Sequence, residues 1–176
     1  MTTNLTEAQR LHRPSLEHVE RLIAKRSFCA LATSSPAGRA HVAGMLYQAV
    51  ARDTRNPQIL YLNTTLTSRK ARNIAANPYV AVNIPVRRLP MGPPAAIQFQ
   101  GVAELVSQDD PGLLRLVEAG KLSSITSHGE LDKPGGGFVR ITPARRLNTY
   151  GIGMSLLRFL KDPLHAAGAV ELPEIR

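Results

Sequence analysis

The chain has no tryptophan and a single cysteine, Cys29, among its 176 residues. One cysteine excludes an internal disulfide and any zinc site built from several cysteines. Cys29 lies in the apolar run 28–32, and burial among apolar groups raises the pKa of a thiol and suppresses its reactivity. We therefore expect Cys29 to be a buried structural thiol.

Long apolar runs are also absent. No segment approaches the 18 or more apolar residues of a membrane-spanning helix, and the first residues lack the basic and then apolar pattern of a secretory signal. The sequence therefore favours a cytoplasmic protein with no membrane partner. With 43% hydrophobic residues, a chain of this length has the size and apolar content of one domain.

Acidic residues are few compared with basic ones. The chain has 22 Lys and Arg against 13 Asp and Glu, which gives a net charge of +9. This charge favours anionic partners such as phosphorylated cofactors or nucleic acid. Binding of nucleic acid by stacking needs aromatic side chains among the basic ones. Aromatic residues make up only 5% of the chain, so its composition disfavours a nucleic-acid partner.

The apolar pattern predicts a mainly β fold with short helices. Strands are predicted at residues 27–34, 39–50, 58–63, 79–84, 97–106 and 138–142, the last extending irregularly to 150, with Gly101 as a candidate bulge. Helices are predicted at residues 15–26, at 68–77 and from 109 onward, with loops at 85–94 and 121–137 and a short amphipathic turn at 154–160. Strands joined mainly by turns describe an antiparallel barrel.

The chain divides into three predicted parts. Residues 1–14 form a flexible N-terminal arm, residues 15–150 form the barrel domain, and residues 151–176 form a C-terminal extension with little sign of ordered structure after Leu160. The five histidines show no metal-ligand spacing, so no metal site is expected.

Residues 63–73 carry the clearest chemical signal. A strand that ends in hydroxyl-bearing residues leads into a helix whose first turn holds Ser68, Arg69 and Lys70. The first backbone N–H groups of a helix have no intrahelical acceptor and attract anions. Each cation there opposes the helix dipole at a cost of about 0.3–1 kcal/mol, which a bound phosphate reverses. The segment predicts a phosphate site, and an ordinary basic surface helix is the alternative.

This segment also resembles a known family. The pattern Asn63-Thr64-x-Leu66-x-Ser68-Arg69-Lys70-Ala71, followed by Asn77-Pro78-x-Val80, is similar to the flavin-phosphate signature of the pyridoxamine 5′-phosphate oxidases and their split-barrel relatives. The resemblance extends over about residues 22–106 and, more loosely, over 138–150. It implies a split β-barrel and a homodimer with a flavin-type cofactor at the dimer interface.

The resemblance also implies a set of cofactor-binding residues. Arg69 and Lys70 would pair with the phosphate, Ser68 and Thr64 would form hydrogen bonds near it, and Asn63 would border the ring. The backbone of four consecutive residues of the second strand would pass along the ring, namely His41, Val42, Ala43 and Gly44. For Tyr150 the resemblance implies a place at the cofactor, and packing on the barrel rim is the alternative.

Three departures argue against a true pyridoxamine phosphate oxidase. Apolar Met45 and Leu46 stand where the oxidases have a basic residue, and Ala96 stands where they have a flavin-binding glutamine. The C-terminal arginine and histidine signature that binds pyridoxal phosphate is not recognisable after Tyr150.

Other relatives use the deazaflavin coenzyme F420, which has a polyanionic oligoglutamate tail. The loop cations that could meet such a tail are Arg52, Arg55, Arg87 and Arg88, although loop arginines also serve solubility alone. We therefore expect an oxidoreductase that uses FMN or F420 and acts on a small organic substrate. The alternatives are a non-catalytic flavin or haem binder and a basic nucleic-acid-binding barrel. No catalytic residue is predicted, since hydride transfer needs mainly orientation of the ring.

Overall fold

Seven strands and five short helices make up the described part of the chain, which comprises residues 14–53, 57–87 and 94–173 of a computed structural model. The strands are β1 (Phe28–Ser34), β2 (Ala40–Val50), β3 (Ile59–Thr65), β4 (Tyr79–Val86), β5 (Ala95–Val106), β6 (Gly136–Tyr150) and β7 (Ala167–Glu171). The helices are α1 (Leu16–Lys25), α2 (Arg69–Ala76), α3 (Pro111–Glu118), α4 (Ser123–Thr126) and α5 (Leu156–Lys161), with a 3-10 turn at Pro163–His165.

Six of the strands close into an antiparallel barrel. Their order is β3-β2-β1-β4-β5-β6, and β3 pairs back with β6. The register between β5 and β6 shifts between Phe99 and Gly101, as expected for the predicted bulge at Gly101. The predicted mainly β, antiparallel split barrel is therefore confirmed, and each of the six predicted strands is present.

The barrel interior is apolar and is closed at its two ends by helices. Val19 and Ile23 of α1 and Ile74 of α2 belong to the same buried cluster as the inward side chains of the strands. At the α1 end, the buried Tyr47 hydroxyl donates a hydrogen bond to the carbonyl oxygen of Ile23 at 2.7 Å. At the α2 end, Asn73 Nδ2 donates to Thr33 Oγ1 at 3.0 Å. The second of these contacts fixes α2 relative to β1.

A second apolar cluster lies outside the barrel. Helices α3 and α4 contribute Leu113 and Ile125, which pack with Tyr61 of β3 and Phe138 of β6. This side of the sheet is therefore covered by helices. The outer faces of β1, β4 and the first half of β2 remain exposed.

The C-terminal extension contains more structure than the sequence indicates. The prediction of little order after Leu160 is wrong, because β7 pairs with residues 146–150 of β6. Its sequence, AGAVE, has weak strand propensity, and pairing with an existing strand supplies the order. The predicted arm at residues 1–14 lies outside the described residues except for Pro14.

Two predicted loops are shorter than expected. Strand β4 continues through Pro85 to Val86. Because β1 pairs with β4 only over residues 81–83, Pro85 lies where β4 has one free edge, and proline is tolerated there. Residues 88–93 lie outside the described part. The predicted loop at 121–137 contains helix α4 and the first residues of β6.

Cys29 is completely buried in the barrel core. Burial raises the pKa of its thiol to about 12, so the prediction of a structural thiol is confirmed. We expect iodoacetamide at pH 8 to label the native protein at least about tenfold more slowly than the urea-unfolded protein, because the thiolate is the reactive form. Equal rates in the two states would contradict this burial.

None of the helices in the described ranges is long and apolar enough to cross a membrane.

Candidate functional site

An opening between β2 and β3 is the first feature of the site. The two strands pair only over Tyr47–Val50 and Ile59–Leu62. On its other edge β3 pairs with β6 over Leu60–Thr65, so from Asn63 onward it pairs with β6 alone. Residues 40–46 of β2 keep β1 on one side, and no other strand of the described chain pairs with their second edge. This opening, here called the split, leaves about 20 Å of strand edge with unpaired backbone groups.

Glycines at the start of β6 allow the chain after β3 to approach it closely. Leu66, which follows β3, donates its backbone N–H to the carbonyl oxygen of Gly135 at 2.9 Å. A Cβ atom on Gly137 would lie only 2.6 Å from Leu66 Cδ2. The close approach of Leu66 to β6 therefore requires a residue without a side chain.

The N-terminus of α2 lies beside the split. Ser68 caps the helix, since its Oγ accepts a hydrogen bond from the backbone N–H of Ala71 at 3.3 Å. Thr64 Oγ1 lies 3.4 Å from Ser68 Oγ. The first turn has no acidic residue and contains Arg69 and Lys70, whose backbone N–H groups have no intrahelical acceptors. These hydroxyl groups, N–H groups and cations form an arrangement that suits a phosphate.

A cleft of about 670 Å³ separates α2 from the β1–β2 turn. Its lining consists of Ser35, Pro36, Arg39, Ala40, His41, Arg69, Arg72 and Asn73. No acidic residue is among them. Within the described part of the chain, none of the three arginines forms an ion pair. We call this cavity the arginine cleft, and its lining carries charge of only one sign.

The arginine cleft contains two residues that sequence reasoning missed, Arg39 and Arg72. Arg72 lies three positions after Arg69, and residues at that spacing share one face of a helix, so the sequence contained a signal for it. Arg39 gives no such signal. It reaches the cleft because the β1–β2 turn folds toward α2.

The structure brings some of the predicted site residues together. His41 and Arg69 line the arginine cleft, and Thr64 lies beside Ser68. Asn63 begins the part of β3 that diverges from β2. Lys70 follows Arg69 in the first turn of α2 but does not line the cleft.

The remaining predicted residues, Val42, Ala43, Gly44 and Tyr150, are not among those that line the arginine cleft. Val42 and Gly44 point outward from β2, whereas Ala43 packs against the core. Tyr150 lies at the end of β6 that pairs with β7, and β7 packs against α1. Its ring makes an edge-on contact with Phe159, with centroids 5.3 Å apart.

Of the loop arginines predicted to meet an anionic tail, Arg52 is held in an ion pair. Arg52 donates to both carboxylate oxygens of Glu20, at 2.8 and 3.1 Å, and this contact raises its pKa. The side chain of Arg87 is exposed, and its carbonyl oxygen accepts a hydrogen bond from Arg26 at 3.1 Å. Arg55 and Arg88 lie outside the described residues.

An exposed apolar surface adjoins the site. Strand register places Ala32 of β1 between Val42 of β2 and Ala81 of β4. Larger exposed side chains surround these small ones: Phe28, Leu46, Tyr79 and Val102. We call this surface the open face. Contiguous exposed apolar surfaces of this kind mark interaction sites.

Among the described residues, no group of three or more His, Cys, Asp or Glu side chains is placed to hold a metal ion.

Comparison with solved structures finds similar folds at low sequence identity. An F420 reductase is 23% identical, with a TM-score of 0.52, over 71% of this chain and 92% of the other. The haem-storage protein HutZ from Vibrio cholerae is 19% identical, with a TM-score of 0.61, over 78% and 96%. An FAD-binding protein from Mesorhizobium loti is 20% identical, with a TM-score of 0.56, over 74% and 91%. At these identities the similarity shows the fold alone.

No curated protein matches the sequence. A family model described as pyridoxamine 5′-phosphate oxidase matches residues 15–149, which span α1 and the first six strands almost completely. The matched range contains the closed six-stranded barrel. The chain therefore belongs to the pyridoxamine 5′-phosphate oxidase family, within the split-barrel superfamily.

Proposed function

We propose that this protein is a flavin- or deazaflavin-dependent oxidoreductase that binds FMN or coenzyme F420 and transfers hydride to or from a small organic substrate. One observation carries the proposal: the free edge of β2 meets the cationic N-terminus of α2. A flavin-type cofactor combines a flat ring that forms hydrogen bonds at its edge with a phosphate at the end of a chain. The free edge of β2 offers backbone groups to the ring, and the N-terminus of α2 offers an anion site to the phosphate.

The phosphate is held by groups from β3 and α2. Ser68 and Thr64 supply hydroxyl groups, and Arg69 and Lys70 supply positive charge as well as backbone N–H groups. Hydrogen bonds to charged groups contribute about 1.5–3 kcal/mol each. A dianionic phosphate also removes the unfavourable interaction of two cations with the helix dipole.

The ring lies along the split, beside the backbone of residues 41–44 and the side chain of Asn63. When bound, the cofactor supplies the hydride chemistry, while the protein contributes orientation and exclusion of water. The nearby core is apolar, with Met45 buried behind β2. His41 is the one titratable residue of the arginine cleft that is not an arginine, and we assign it a place beside the cofactor rather than a role as a base.

The active form is a homodimer joined through the open face. Val42 and Tyr79 on this face are 62% and 71% exposed in the single chain, and burial of apolar surface drives association. In such a dimer a partner chain lies next to the split and encloses the cofactor. Tyr150 then reaches the site from the partner chain.

A non-catalytic haem binder is the second candidate. HutZ, which shares the fold, is named as a haem-storage protein. The half-buried His41 lines the arginine cleft, and imidazole is a common axial ligand of haem iron. Haem also carries two propionate groups, which the arginines would attract.

Titration of the cofactor-free protein with FMN, F420 and haemin distinguishes these functions. We expect a fluorescence change with FMN or F420, and at least about tenfold weaker binding of riboflavin, which has the ring of FMN without its phosphate. Preference for F420 identifies a deazaflavin reductase, and binding of haemin alone supports the second candidate. Binding of none of the three refutes the proposed function.

A further inference from the structure

We infer that the arginine cleft binds a second anionic group of the cofactor, beyond the phosphate held by Ser68, Arg69 and Lys70. The cofactor would then belong to a class with two or more anionic groups. Such a group is the diphosphate of a dinucleotide or the carboxylates of a glutamate tail. The inference rests on the proposed flavin- or deazaflavin-dependent function, and it extends the candidate cofactors to FAD.

The first argument is an excess of positive charge. Arg39 and Arg72 add two charges to those of Arg69 and Lys70, so four cations stand at or beside the cleft. A phosphate monoester carries a charge of about −1.5 to −2 at neutral pH. One phosphate therefore leaves about half of the positive charge uncompensated. The carboxylates of a glutamate tail would balance it, whereas the diphosphate of a dinucleotide carries roughly the total charge of a phosphate monoester and would spread that charge over both walls of the cleft.

The second argument is that no carboxylate in the described part of the chain forms an ion pair with these arginines. Elsewhere on the barrel, basic side chains have acidic partners, as in Arg52 with Glu20, Arg140 with Glu104 and Arg145 with Glu171. The arginine cleft contains none. A cleft lined by charge of one sign concentrates ligands of the opposite sign.

The third argument is geometric. Arg69 and Arg72 share one face of α2, and Arg39 stands on the opposite wall. The turn that carries Arg39 is closed by hydrogen bonds from Gly38 N–H to the Ser35 carbonyl at 2.8 Å and from Ser35 N–H to the Arg39 carbonyl at 2.9 Å. Gly38 has a φ of +74°, which favours glycine. Both walls are thus fixed, and a cleft of about 670 Å³ has the size of pockets that hold whole small molecules.

The test uses a charge-matched pair of variants. Arg39→Gln with Arg72→Gln removes two charges from the cleft, and Arg21→Gln with Arg115→Gln removes two from exposed positions on α1 and α3. Each protein is titrated with FMN, FAD and F420 at constant ionic strength, after equal thermal unfolding has shown that the fold is intact. These ligands carry one phosphate, a diphosphate, and a phosphate followed by glutamate carboxylates, respectively.

We expect the cleft variant to bind FAD or F420 at least about tenfold more weakly than wild type and FMN less than about threefold more weakly. The control variant should match wild type with every ligand. A loss confined to FAD identifies a diphosphate, and a loss confined to F420 identifies a carboxylate tail.

Three outcomes overturn the inference. An equal loss for FMN and for the larger ligands means that all four cations serve one phosphate. No loss for any ligand means that the cleft binds nothing. Binding of FMN alone by the wild-type protein refutes the second anionic group while the proposed function stands, whereas failure to bind any of the three refutes the flavin- or deazaflavin-dependent function as well.

Discussion

Replacing Arg69 and Lys70 together by alanine is expected to weaken binding of FMN or F420 by about 10²- to 10⁴-fold. Two hydrogen bonds to a charged phosphate contribute about 3–6 kcal/mol together, and each 1.4 kcal/mol corresponds to a factor of ten in affinity. Both side chains stand in the first turn of α2, beside Ser68 and Thr64. Fluorescence titration of the cofactor-free variant measures the loss.

The same variant should fold at least as stably as wild type in the absence of cofactor. Cations in the first turn of a helix oppose its dipole by about 0.3–1 kcal/mol each, and alanine has a high helix propensity. The free energy of unfolding in urea should therefore stay constant or rise. Loss of affinity together with unchanged or greater stability separates a binding role from a structural one.

A control on α1 tests the specificity of this result. Arg21→Ala with Lys25→Ala removes the same charge from another helix, and Lys25 stands in its last turn, where a cation is favourable. We expect this control to lose a little stability and to keep its cofactor affinity. Full cofactor affinity in the Arg69 and Lys70 variant would show that the phosphate site is assigned wrongly.

The sequence predicts the barrel because most of its strands carry their own signal. In β5, for example, buried Ile97 and Phe99 alternate with exposed Gln98 and Gln100, and this alternation is visible in the sequence. Strand β7 has no such signal, since it consists mainly of alanine and glycine. Its order comes from pairing with residues 146–150 of β6, a long-range contact that local pattern does not reveal.

The candidate site also has one part that the local sequence identifies and another that depends on tertiary structure. Ser68, Arg69 and Lys70 are adjacent in sequence, so a helix start with a phosphate signature identifies them together. Arg39 joins the arginine cleft only through tertiary structure, because the β1–β2 turn meets α2 across the hydrogen bond from Asn73 to Thr33. The split itself depends on the register of β3 with both β2 and β6. Neither feature can be derived from local spacing.

Replacing Ala81 by arginine is expected to dissociate the proposed homodimer and raise its dissociation constant at least about 100-fold. Ala81 lies on the open face between Ala32 of β1 and Gln100 of β5. In a symmetric dimer joined through this face, each chain would bury a new cation among small apolar side chains. Burying an unpaired charge costs several kcal/mol. Sedimentation velocity at several concentrations measures the shift to monomer.

Ala119→Arg provides the matched control, because Ala119 is exposed after α3, on the side of the sheet that the helices cover. This variant should remain dimeric and bind cofactor like wild type. Wild-type protein that sediments as a monomer, or an Ala81 variant that stays dimeric, would refute association through the open face.

The cofactor affinity of the monomeric Ala81 variant then shows how the site is built. The mutation lies on β4, away from α2 and from the edge of β2 that faces the split. It leaves intact the groups that we propose to hold the phosphate. If the partner chain encloses the ring, the monomer should bind FMN or F420 at least about tenfold more weakly, since one face of the ring loses its apolar contacts. Affinity equal to wild type would place the whole site within one chain and remove Tyr150 from it.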